Sequence, residues 1–366
     1  MPDRVIVSEL ADTTDLVARA ASLLADGRLV VIPTETVYGL AANADDPAAI
    51  DRLYAAKNRP PRKPLTIHIA DASDAARYAG ERHGPVRRLM ARGWPGPLTL
   101  VFDRLPDSPG VAGTGEETAG LRLPDCDVTR AILREADVPV VASSANLSGY
   151  APPTTADEVV ANLGDAAALV IDDGPTRFGR GSTVVRVTGD GFDVLRQGVV
   201  SERGVLRLAS FTVAFVCSGN TCRSPMAEAI ARRALARRLG VPTADLLAAG
   251  FDVYSAGTGA GGGAPASEMA LHTMRQRGSD LADHVNRPLR DDDVRRTDLA
   301  FTMTESQRLA VAAMMGDSAG RVHRLDPERD VFDPVGGSAD VFAECADQIE
   351  RAIDERMEMI LEAAAE

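Results

Sequence analysis

The chain has 366 residues, of which 45% are hydrophobic and 25% charged, a composition typical of ordinary globular domains. This length predicts two domains, each with room for a full core, and the hydrophobic content argues against disorder. The sequence contains no run of about 18 apolar residues and no amino-terminal leader pattern. We therefore expect a cytoplasmic protein that neither spans a membrane nor is secreted.

The formal net charge of −13 is shared by both halves of the chain and argues against a general attraction to nucleic acid. A local basic cavity is still compatible with it. The four cysteines are too few and too scattered for a disulfide framework, so a reducing compartment is expected. Cys217 and Cys222 lack a second close Cys/His pair, and no metal site is predicted.

The first half of the chain predicts a mixed α/β domain. Amphipathic helices are expected over residues 12–27 and 48–57, and strands over residues 29–32, 65–69, 98–102, 138–142, 169–171 and 183–187. Short Gly- and Pro-containing turns separate these elements.

Cationic and hydroxyl side chains cluster in this half where packing alone gives no reason for them. Only two of the 40 basic residues are lysines, and both, Lys57 and Lys63, flank Arg59 after the second predicted helix. Lysine supplies a compact charge and arginine a planar fork, a combination that suits a triphosphate or a carboxylate. Ser144 and Asn146 follow a predicted strand and can orient such a ligand. A solvated basic loop is the competing interpretation of any one cluster.

These motifs resemble those of YrdC-type threonylcarbamoyl-AMP synthases over residues 5–200. Lys57 and Arg59 match the Lys-x-Arg signature of that family, and Ser144 and Asn146 match its Ser-x-Asn signature. The resemblance implies that ATP, L-threonine and bicarbonate are joined into threonylcarbamoyl-adenylate with release of pyrophosphate. The product would feed the threonylcarbamoyladenosine modification of tRNA, which makes the downstream modification machinery a partner, and Mg²⁺ is implied alongside ATP.

The same resemblance divides the site residues into two groups. ATP would be held by Lys57, Arg59, Lys63, Ser144, Asn146 and Arg196, and threonine with its carbamate by Thr34, His68, Arg122 and Ser182. His68 lies within an apolar strand, so a structural histidine is the alternative. Two positions depart from the family pattern, with Cys126 in place of a His and Gly181 in place of a Glu. Both departures concern threonine recognition rather than the ATP set.

The second half begins with an apolar strand over residues 211–216, followed by a helix over residues 225–239. Between them, Cys217 is followed after five residues by Arg223 and then by Ser224. A loop of this kind directs backbone N–H groups inward at a helix N-terminus and forms an anion nest. Arg223 can bind two phosphate oxygens, and the same field favours the nucleophilic thiolate of Cys217. Further along, a strand is predicted over residues 299–303 and a long helix over residues 339–365.

This loop resembles the Cys-x5-Arg-Ser signature of the low-molecular-weight phosphatases, and later segments agree with that family over residues 211–366. The resemblance implies three catalytic residues, Cys217, Arg223 and Asp333, the last acting first as general acid and then as base. The rest of the phosphate loop would be Ser218, Gly219, Asn220, Thr221, Cys222 and Ser224. The resemblance further implies that Cys217 and Cys222 can form a reversible disulfide under oxidation.

The expected phosphatase substrate is a phosphorylated protein. Val335, Gly336 and Gly337 follow Asp333-Pro334 and provide no aromatic wall, and Thr221 stands where tyrosine-directed members have Ile. Both features resemble protein-arginine phosphatases, so phosphoarginine is favoured and phosphotyrosine comes next. Residues 257–262 also match the pattern G-x-G-x-x-G, which is typical of dinucleotide-binding loops. An isolated match is weak evidence for such a site, and we interpret the stretch as a flexible loop.

The sequence thus predicts an α/β protein with a synthase domain over residues 1–205 and a phosphatase domain over residues 206–366. The first has a YrdC-like open twisted mixed sheet with a basic cavity, and the second a Rossmann-like parallel sheet. The alternative is an RNA-binding module, double-stranded RNA included, fused to a phosphate-binding regulatory domain without turnover. The complete Lys-x-Arg and Ser-x-Asn set favours catalysis in the first half. Asp333 favours it in the second, since a binding domain needs no general acid.

Overall fold

The computed structural model describes residues 2–60, 63–105, 113, 117–189 and 191–365. Contacts divide the chain into two units, Met1–Val205 and Leu206–Glu366. The first unit is mixed α/β and the second is α/β around a parallel sheet, so the predicted fold class is confirmed. No helix in the described part of the chain is both long enough and apolar enough to cross a membrane.

The first unit is built on one mixed sheet, to which ten strands belong among its described residues. They are β1 (Asp3–Ile6), β2 (Val30–Ile32), β3 (Gly39–Asn43), β4 (Thr66–His68), β5 (Leu98–Asp103), β6 (Thr118–Arg122), β7 (Val140–Ser144), β8 (Leu169–Asp172), β9 (Thr183–Thr188) and β10 (Gly191–Arg196). Their order across the sheet is β1-β8-β2-β3-β7-β4-β6-β5-β9-β10. The six predicted strands are present. The sequence does not predict β3, because Gly-Leu-Ala-Ala-Asn contains few residues of high strand propensity.

Seven helices in the described residues begin in the first unit. They are α1 (Thr14–Ala25), α2 (Pro47–Ala56), α3 (Ala76–Ala79), α4 (Gly84–Gly93), α5 (Asp127–Glu135), α6 (Ala156–Leu163) and α7 (Glu202–Ala209). Helix α1 buries Leu16, Ala20 and Leu24 at helical spacing against β2, β7 and β8. Asp46 caps α2 by accepting a hydrogen bond from the backbone N–H of Ala48 at 2.9 Å. Lys57 is the C-cap residue that follows α2, and its side chain is buried.

The strand register brings several of the predicted site residues together. Gly39 on β3 lies opposite Ser144 on β7, and His68 on β4 lies opposite Arg122 on β6. Since β3, β7, β4 and β6 are consecutive neighbours in the sheet, residues distant in sequence lie at one region of its surface. The fold therefore creates a single site from separate motifs.

The second unit has four strands among its described residues, all parallel, in the order β12-β11-β13-β14. These strands are β11 (Phe211–Cys217), β12 (Phe251–Gly257), β13 (Leu299–Thr302) and β14 (Val322–Arg324). The helices are α8 (Arg223–Leu239), α9 (Glu268–Gln276), α10 (Asp291–Arg296), α11 (Glu305–Met315) and α12 (Ala339–Ala365). Strand β11 is buried along its whole length because helices cover both faces of the sheet.

The loop after β11 lies where the strand order reverses, with β12 on one side of β11 and β13 on the other. Ligands bind at such switch points in open α/β sheets, outside the carboxyl ends of the strands. Helix α8 begins at Arg223, two residues before the predicted start. Proline is tolerated within the first turn of a helix, where its missing N–H costs no hydrogen bond, so Pro225 does not mark the first residue.

Candidate active sites

A cavity of about 530 Å³ in the first unit gathers every residue that the sequence assigned to ATP or threonine. The ten are Thr34, Lys57, Arg59, Lys63, His68, Arg122, Ser144, Asn146, Ser182 and Arg196. They come from seven separate segments of the chain. Their convergence on one cavity is what a shared ligand site requires.

The charge of this cavity is opposite to that of the whole chain. Five basic side chains line it, and no Asp or Glu is found among its described lining residues, although the chain carries a net charge of −13. Like charges gathered in one cavity repel one another, so a cluster of this kind indicates an anionic ligand. The cavity is suited to a polyphosphate together with a carboxylate.

Lys57 is 1% exposed, and backbone carbonyl groups already engage two of its three ammonium protons. Its Nζ donates to the carbonyl oxygen of Ser144 and, at 2.6 Å, to that of Asn146. Burial lowers the pKa of Lys57 to about 8, and the positive charges of Arg59 and Lys63 lower it further. Lys57 therefore fixes the Ser144–Asn146 loop and leaves one proton for a ligand.

Arg59 and Arg196 are held at the cavity by backbone carbonyl groups rather than by carboxylates. Arg59 donates from Nη2 to the carbonyl oxygen of Pro64 at 2.8 Å, and Arg196 donates from Nη2 to that of Ser182 at 3.0 Å. Burial lowers the pKa of both guanidinium groups, and Arg122 lowers that of Arg196 further. Among the described residues neither positive charge has a carboxylate as an ion-pair partner, as an anion site needs.

Arg122 is buried in the cavity wall and paired with a carboxylate behind it. Its Nη2 donates to Oε1 of Glu35 at 2.9 Å, and Oε2 of Glu35 accepts from the backbone N–H of Asp125 at 3.0 Å. The same Nη2 contacts the hydroxyl groups of Thr34 and Thr36. By contrast, Nε of Arg122 is buried without a hydrogen-bond partner. A buried guanidinium donor left unsatisfied is costly.

His68 is 8% exposed and lies beside Arg122. Burial lowers the pKa of His68 to about 3, and the charge of Arg122 adds to this effect, so the ring is neutral at physiological pH. Nδ1 lies 3.1 Å from the carbonyl oxygen of Thr66 and must donate to it, which leaves Nε2 as an acceptor. Nε2 of His68 can accept a hydrogen bond from a ligand, but the ring is too weak a base to remove a proton from an ammonium group.

Other groups reach the cavity that the sequence did not assign. Ser143 lines the cavity, and its Oγ is buried without a hydrogen-bond partner among the described residues. Thr99 also lines the cavity, and its hydroxyl oxygen lies 2.8 Å from that of Ser182. The sequence shows the pair Ser143-Ser144, but it does not show which of the two side chains faces the cavity. No sequence signal points to Thr99.

The two departures from the family pattern lie in different places. Gly181 lines the cavity next to Ser182. Cys126 does not, because it lines a second cavity with Asp125 and Asp173, and burial raises the pKa of its thiol. Thr34 and Glu35 also line that second cavity, and Glu35 pairs with Arg122, so Cys126 shares a cavity with one of the residues assigned to threonine.

The backbone at Gly198 packs closely against the backbone of Gly181 and Ser182, which leaves no room for a side chain at position 198. A Cβ atom at Gly198 would overlap the carbonyl oxygen of Gly181 and the backbone of Ser182. Gly198→Ala is expected to lower the free energy of unfolding by about 1–3 kcal/mol and to weaken ATP binding through Arg196, which donates to Ser182. Thermal unfolding and ATP titration measure both effects.

Gly181→Ala is the matched control for this substitution. The nearest group to an added Cβ there is Nη2 of Arg196 at 3.8 Å, an ordinary contact distance. Equal destabilisation by the two substitutions would contradict the steric argument.

The second site surrounds Cys217, which is 3% exposed at the end of β11. Its Sγ accepts a hydrogen bond from the backbone N–H of Asn220 at 3.2 Å and lies 3.0 Å from Oγ of Ser224. Ser224 belongs to the first turn of α8, so the sulfur lies at a helix N-terminus. Both contacts can stabilise negative charge on Cys217.

Asn220 stabilises the phosphate loop through hydrogen bonds of its buried side chain and backbone. It has φ 54°, in the left-handed region that asparagine tolerates, and is completely buried. Its Nδ2 donates to Ser224 Oγ at 3.0 Å and Ser255 Oγ at 2.9 Å, while Oδ1 accepts from the backbone N–H of Arg287 at 2.9 Å. The carbonyl oxygen of Asn220 lies 2.8 Å from Nε2 of His284. The sequence named Asn220 and Ser224 but not the anchors Ser255, His284 and Arg287, which lie far along the chain.

Arg223 and Asp333 form an ion pair between Nη2 and Oδ2. Arg223 is 6% exposed and also donates from Nη1 to the carbonyl oxygen of Val331 at 3.3 Å. The carboxylate of Asp333 is half-exposed and accepts from the backbone N–H of Val335 at 3.2 Å. The structure thus brings together the three residues that the sequence named as catalytic.

The remaining loop residues line the same turn. Ser218 Oγ accepts from Nε2 of Gln307 at 3.0 Å, and Sγ of Cys222 donates to Oγ of Ser267 at 3.2 Å. Thr221 Oγ1 lies 3.7 Å from Sγ of Cys222. All four cysteines of the chain are free thiols.

The glycine-rich stretch after β12 packs along this loop. Thr258 and Gly259 donate backbone hydrogen bonds to the carbonyl oxygens of Cys217 at 2.9 Å and Ser218 at 3.0 Å. A Cβ at Gly257 would lie 2.5 Å from the carbonyl oxygen of Ser218, so glycine is required for this approach. The first residues of the stretch therefore pack against the phosphate loop, and the flexibility of the loop that follows stays a prediction.

Metal ligands are not grouped in either unit. No cluster of three or more His, Cys, Asp or Glu side chains that could hold a metal ion exists among the residues described. Mg²⁺ prefers oxygen ligands such as carboxylates, and the described lining of the first cavity has none. The described side chains that line this cavity therefore do not fit a resident magnesium ion.

Comparison with known proteins agrees with both halves of this description. Residues 22–198 match the Sua5/YciO/YrdC family, described as "Telomere recombination", and residues 212–365 match the family described as "Low molecular weight phosphotyrosine protein phosphatase". The threonylcarbamoyl-AMP synthase of Bacillus subtilis is 41% identical over 202 residues, which is 55% of this chain and 58% of that protein. A Mycobacterium tuberculosis protein, provisionally assigned as a threonylcarbamoyl-AMP synthase, is 35% identical over 52% of this chain and 87% of its own length.

A solved structure extends the comparison to the fold. Pyrococcus abyssi Sua5 complexed with L-threonine is 24% identical, with a TM-score of 0.52, and aligns over 88% of this chain and 99% of its own. This chain spans 58% of the length of the Bacillus relative.

The fold and the two anion sites define a fusion of two α/β enzyme-type domains. The chain belongs to the Sua5/YciO/YrdC family and carries a carboxy-terminal domain of the low-molecular-weight phosphotyrosine protein phosphatase family.

Proposed function

We propose that the first unit forms threonylcarbamoyl-adenylate from ATP, L-threonine and bicarbonate and releases pyrophosphate. The observation that carries this proposal is the cavity with five basic residues and no described carboxylate, in which every family-signature residue takes part. Threonine binding is supported by the related Pyrococcus abyssi protein, which was solved in complex with L-threonine.

The proposed reaction asks the chain to position charged groups and neutralise them. The threonine amine attacks the carbon of bicarbonate and water leaves, which gives a carbamate. An oxygen of the carbamate then attacks the α-phosphorus of ATP while the bond to pyrophosphate breaks. Arg122 places its positive charge beside the carboxylate or carbamate of threonine, and His68 Nε2 accepts a hydrogen bond from threonine. Arg59, Lys63 and Arg196 neutralise the phosphates, which supplies most of the rate by positioning and electrostatics.

Magnesium, if it accompanies ATP, would be held by phosphate oxygens, since the described lining offers no carboxylate. No step above is assigned to it. Delivery of the adenylate to a tRNA-modification partner stays a prediction, as does binding of double-stranded RNA.

The test of the synthase gives the full-length protein ATP, L-threonine and bicarbonate and measures pyrophosphate together with the adenylate. Product that depends on all three substrates is expected. Folded protein that binds ATP and forms no product would refute the proposed reaction.

We further propose that the second unit hydrolyses a phosphorylated protein side chain through a phospho-cysteine. The observation that supports it is the contact of Cys217 Sγ with the Asn220 N–H and Ser224 Oγ, with Asp333 beside Arg223. The thiolate attacks phosphorus as the bond to the leaving nitrogen or oxygen breaks, and Asp333 donates its proton to that atom. Water then attacks the phospho-cysteine, Asp333 takes up its proton, and the thiolate leaves.

Phosphoarginine is the favoured substrate, with phosphotyrosine next. Val335, which follows Asp333-Pro334, is 70% exposed and aliphatic. Phe332 precedes Asp333 and is 39% exposed, but it lines a charged cavity with Arg329 and Glu344 that includes none of the described phosphate-loop residues. This placement gives no aromatic stacking wall at the phosphate loop.

Thr221→Ile is expected to raise the ratio of phosphotyrosine to phosphoarginine turnover by roughly tenfold, because an apolar side chain replaces a hydroxyl able to orient water. Steady-state hydrolysis of both substrates measures the ratio. Thr221→Val is the matched variant, since it removes the hydroxyl and keeps the shape. A wild type that prefers phosphotyrosine, or an unchanged ratio in both variants, would contradict the assignment.

A further inference from the structure

The second unit contains a cavity of about 590 Å³, whose described lining includes none of the phosphate-loop residues 217–224. It does include Ser255, His284 and Arg287, three residues beyond the loop that form hydrogen bonds with Asn220. These bonds run from Asn220 Nδ2 to Ser255 Oγ, from His284 Nε2 to the carbonyl oxygen of Asn220, and from the backbone N–H of Arg287 to Asn220 Oδ1. A molecule in this cavity, which we call the anchor cavity, would contact the supports of the loop without entering the loop.

Glu228 extends this set of hydrogen bonds along the wall of the anchor cavity. It lies on α8, is partly buried, and accepts at Oε2 a hydrogen bond of 2.7 Å from Oγ of Ser255. Burial raises the pKa of Glu228, an effect that the hydrogen bond from Ser255 and the nearby charge of Arg232 only partly offset. The proposed phosphatase reaction does not use this carboxylate. Burying a carboxylate costs free energy, so packing alone does not explain Glu228.

Most of the arginine charge that lines the anchor cavity is already neutralised. Arg233 forms an ion pair with Glu350, and Arg287 forms one with Asp293, and neither carboxylate belongs to the described lining. Arg232 has no ion-pair partner among the residues that the structure describes, and its Nη1 donates to a backbone carbonyl oxygen at 3.3 Å. One arginine charge of the cavity is therefore left unpaired.

The negative charge of the same cavity is less completely paired. Of its three described carboxylates, Asp280 lies 3.4 Å from Nε of Arg275. Glu228 and Asp283 have no ion-pair partner within the described part of the chain. Two unpaired carboxylates therefore outnumber the one unpaired arginine, and this balance favours a cationic ligand.

We propose that the anchor cavity binds a small organic cation, with its guanidinium or ammonium group at Glu228, and that this cation strengthens anion binding in the phosphate loop. The second part of the inference rests on the proposed phosphatase site. Glu228 is joined to Asn220 of the loop through Ser255 alone, so its negative charge opposes an anion in the loop. A cation that neutralises this charge removes the opposition. Such coupling is reciprocal, so phosphate should strengthen binding of the cation by the same factor.

Isothermal titration of the full-length protein with L-arginine tests the binding step. L-Citrulline is the matched ligand, since it has nearly the same shape and lacks the side-chain charge. We expect saturable binding of L-arginine and binding of L-citrulline that is weaker by about tenfold or more. Glu228→Gln keeps an oxygen that can accept from Ser255 and should weaken L-arginine about tenfold. Asp280→Asn is the control, because this carboxylate already has a basic partner, and it should change the affinity less than about twofold.

Titration with inorganic phosphate tests the coupling. Saturating L-arginine should make the wild-type protein bind phosphate about fivefold more tightly. Glu228→Gln should bind phosphate more tightly than the wild type without any L-arginine and should not respond to it further, because the substitution removes the charge that the ligand neutralises. L-Arginine that entered the phosphate loop itself would weaken phosphate binding instead.

Four results would overturn the proposal. They are no saturable binding of L-arginine, equal binding of L-citrulline, equal losses in Glu228→Gln and Asp280→Asn, and phosphate affinity that L-arginine leaves unchanged or lowers. Thermal unfolding shows whether each variant is folded, and Asp283→Asn, at an exposed position of the same cavity, is a second variant that should weaken L-arginine. Protein that shows the coupling and hydrolyses no phosphorylated substrate would refute the proposed phosphatase reaction alone.

Discussion

Replacing Lys57 by methionine is expected to reduce threonylcarbamoyl-adenylate synthesis by about a hundredfold or more, since each hydrogen bond from a charged donor is worth about 1.5–3 kcal/mol. Methionine keeps the buried apolar stem and removes the donor to the carbonyl oxygens of Ser144 and Asn146. Two carbonyl groups then lose their partner, and the loop that carries the Ser-x-Asn signature loses its anchor. Initial rates of pyrophosphate release measure the effect.

Lys63→Met is the control for Lys57→Met, because it removes the same charge from the same cavity at an exposed position. We expect a loss of only a few-fold, expressed as a higher KM for ATP. Equal losses in the two variants would show that charge alone matters and that the buried hydrogen bonds do not. Thermal unfolding and the phosphatase rate of the same samples report whether each variant is folded.

The pH profile gives the same residue a second readout. The pKa of Lys57 is lowered to about 8, chiefly by burial, so kcat/KM of the synthase should fall as the pH rises through about 8. Between pH values of about 8 and 10.5, the pKa of Lys57 in the unfolded chain, the unfolded chain binds a proton that the folded chain has lost. The contribution of Lys57 to the free energy of unfolding therefore rises with pH in this range. Activity and this contribution to stability therefore change in opposite directions. Lys63→Met removes a like charge and should move the midpoint upward.

Cys217→Ser is expected to abolish the phosphatase activity, by about 10⁴-fold or more, and to leave the synthase rate unchanged. A serine hydroxyl is not ionised at neutral pH and cannot replace the thiolate as nucleophile. The backbone N–H of Asn220 and the side chain of Arg223 are still present, so the variant should still bind inorganic phosphate. Hydrolysis rates and phosphate titration separate these two properties.

Cys222→Ser is the matched control, because Cys222 lies in the same loop with its Sγ 3.2 Å from Ser267 Oγ, and serine can retain that hydrogen bond. Its phosphatase rate should stay within a few-fold of the wild type. Turnover that survives in Cys217→Ser, or is lost equally in Cys222→Ser, would refute Cys217 as the nucleophile.

Much of both candidate sites could be predicted from sequence because the motif residues lie next to regular elements. Arg59 and Asn146 follow a helix and a strand whose hydrophobic patterns are clear, and Cys217 ends an apolar strand. Side chains at the ends of neighbouring elements are brought together by the fold itself. The fold class followed from the same patterns, since both units alternate strands and helices.

The rest of the sites depends on contacts between residues far apart in the chain. The pairing of Glu35 with Arg122 joins residues 87 positions apart, and Asp333 reaches Arg223 across 110 positions. The β-bulge between Val194 and Arg196 arises from the register of β9 and β10, which no local pattern determines. The sequence also assigned Lys57 to phosphate alone, because nothing in it shows that two of its protons are already engaged.

The ion pair between Arg223 and Asp333 has a consequence for the end of the phosphatase cycle. The guanidinium that would bind orthophosphate already has a carboxylate of its own. When the product is in place, Asp333 is an internal competitor for Arg223, always present at high effective concentration and needing no diffusion. Recapture of Arg223 by Asp333 would favour release of orthophosphate, so we expect this product to inhibit the proposed phosphatase reaction only weakly.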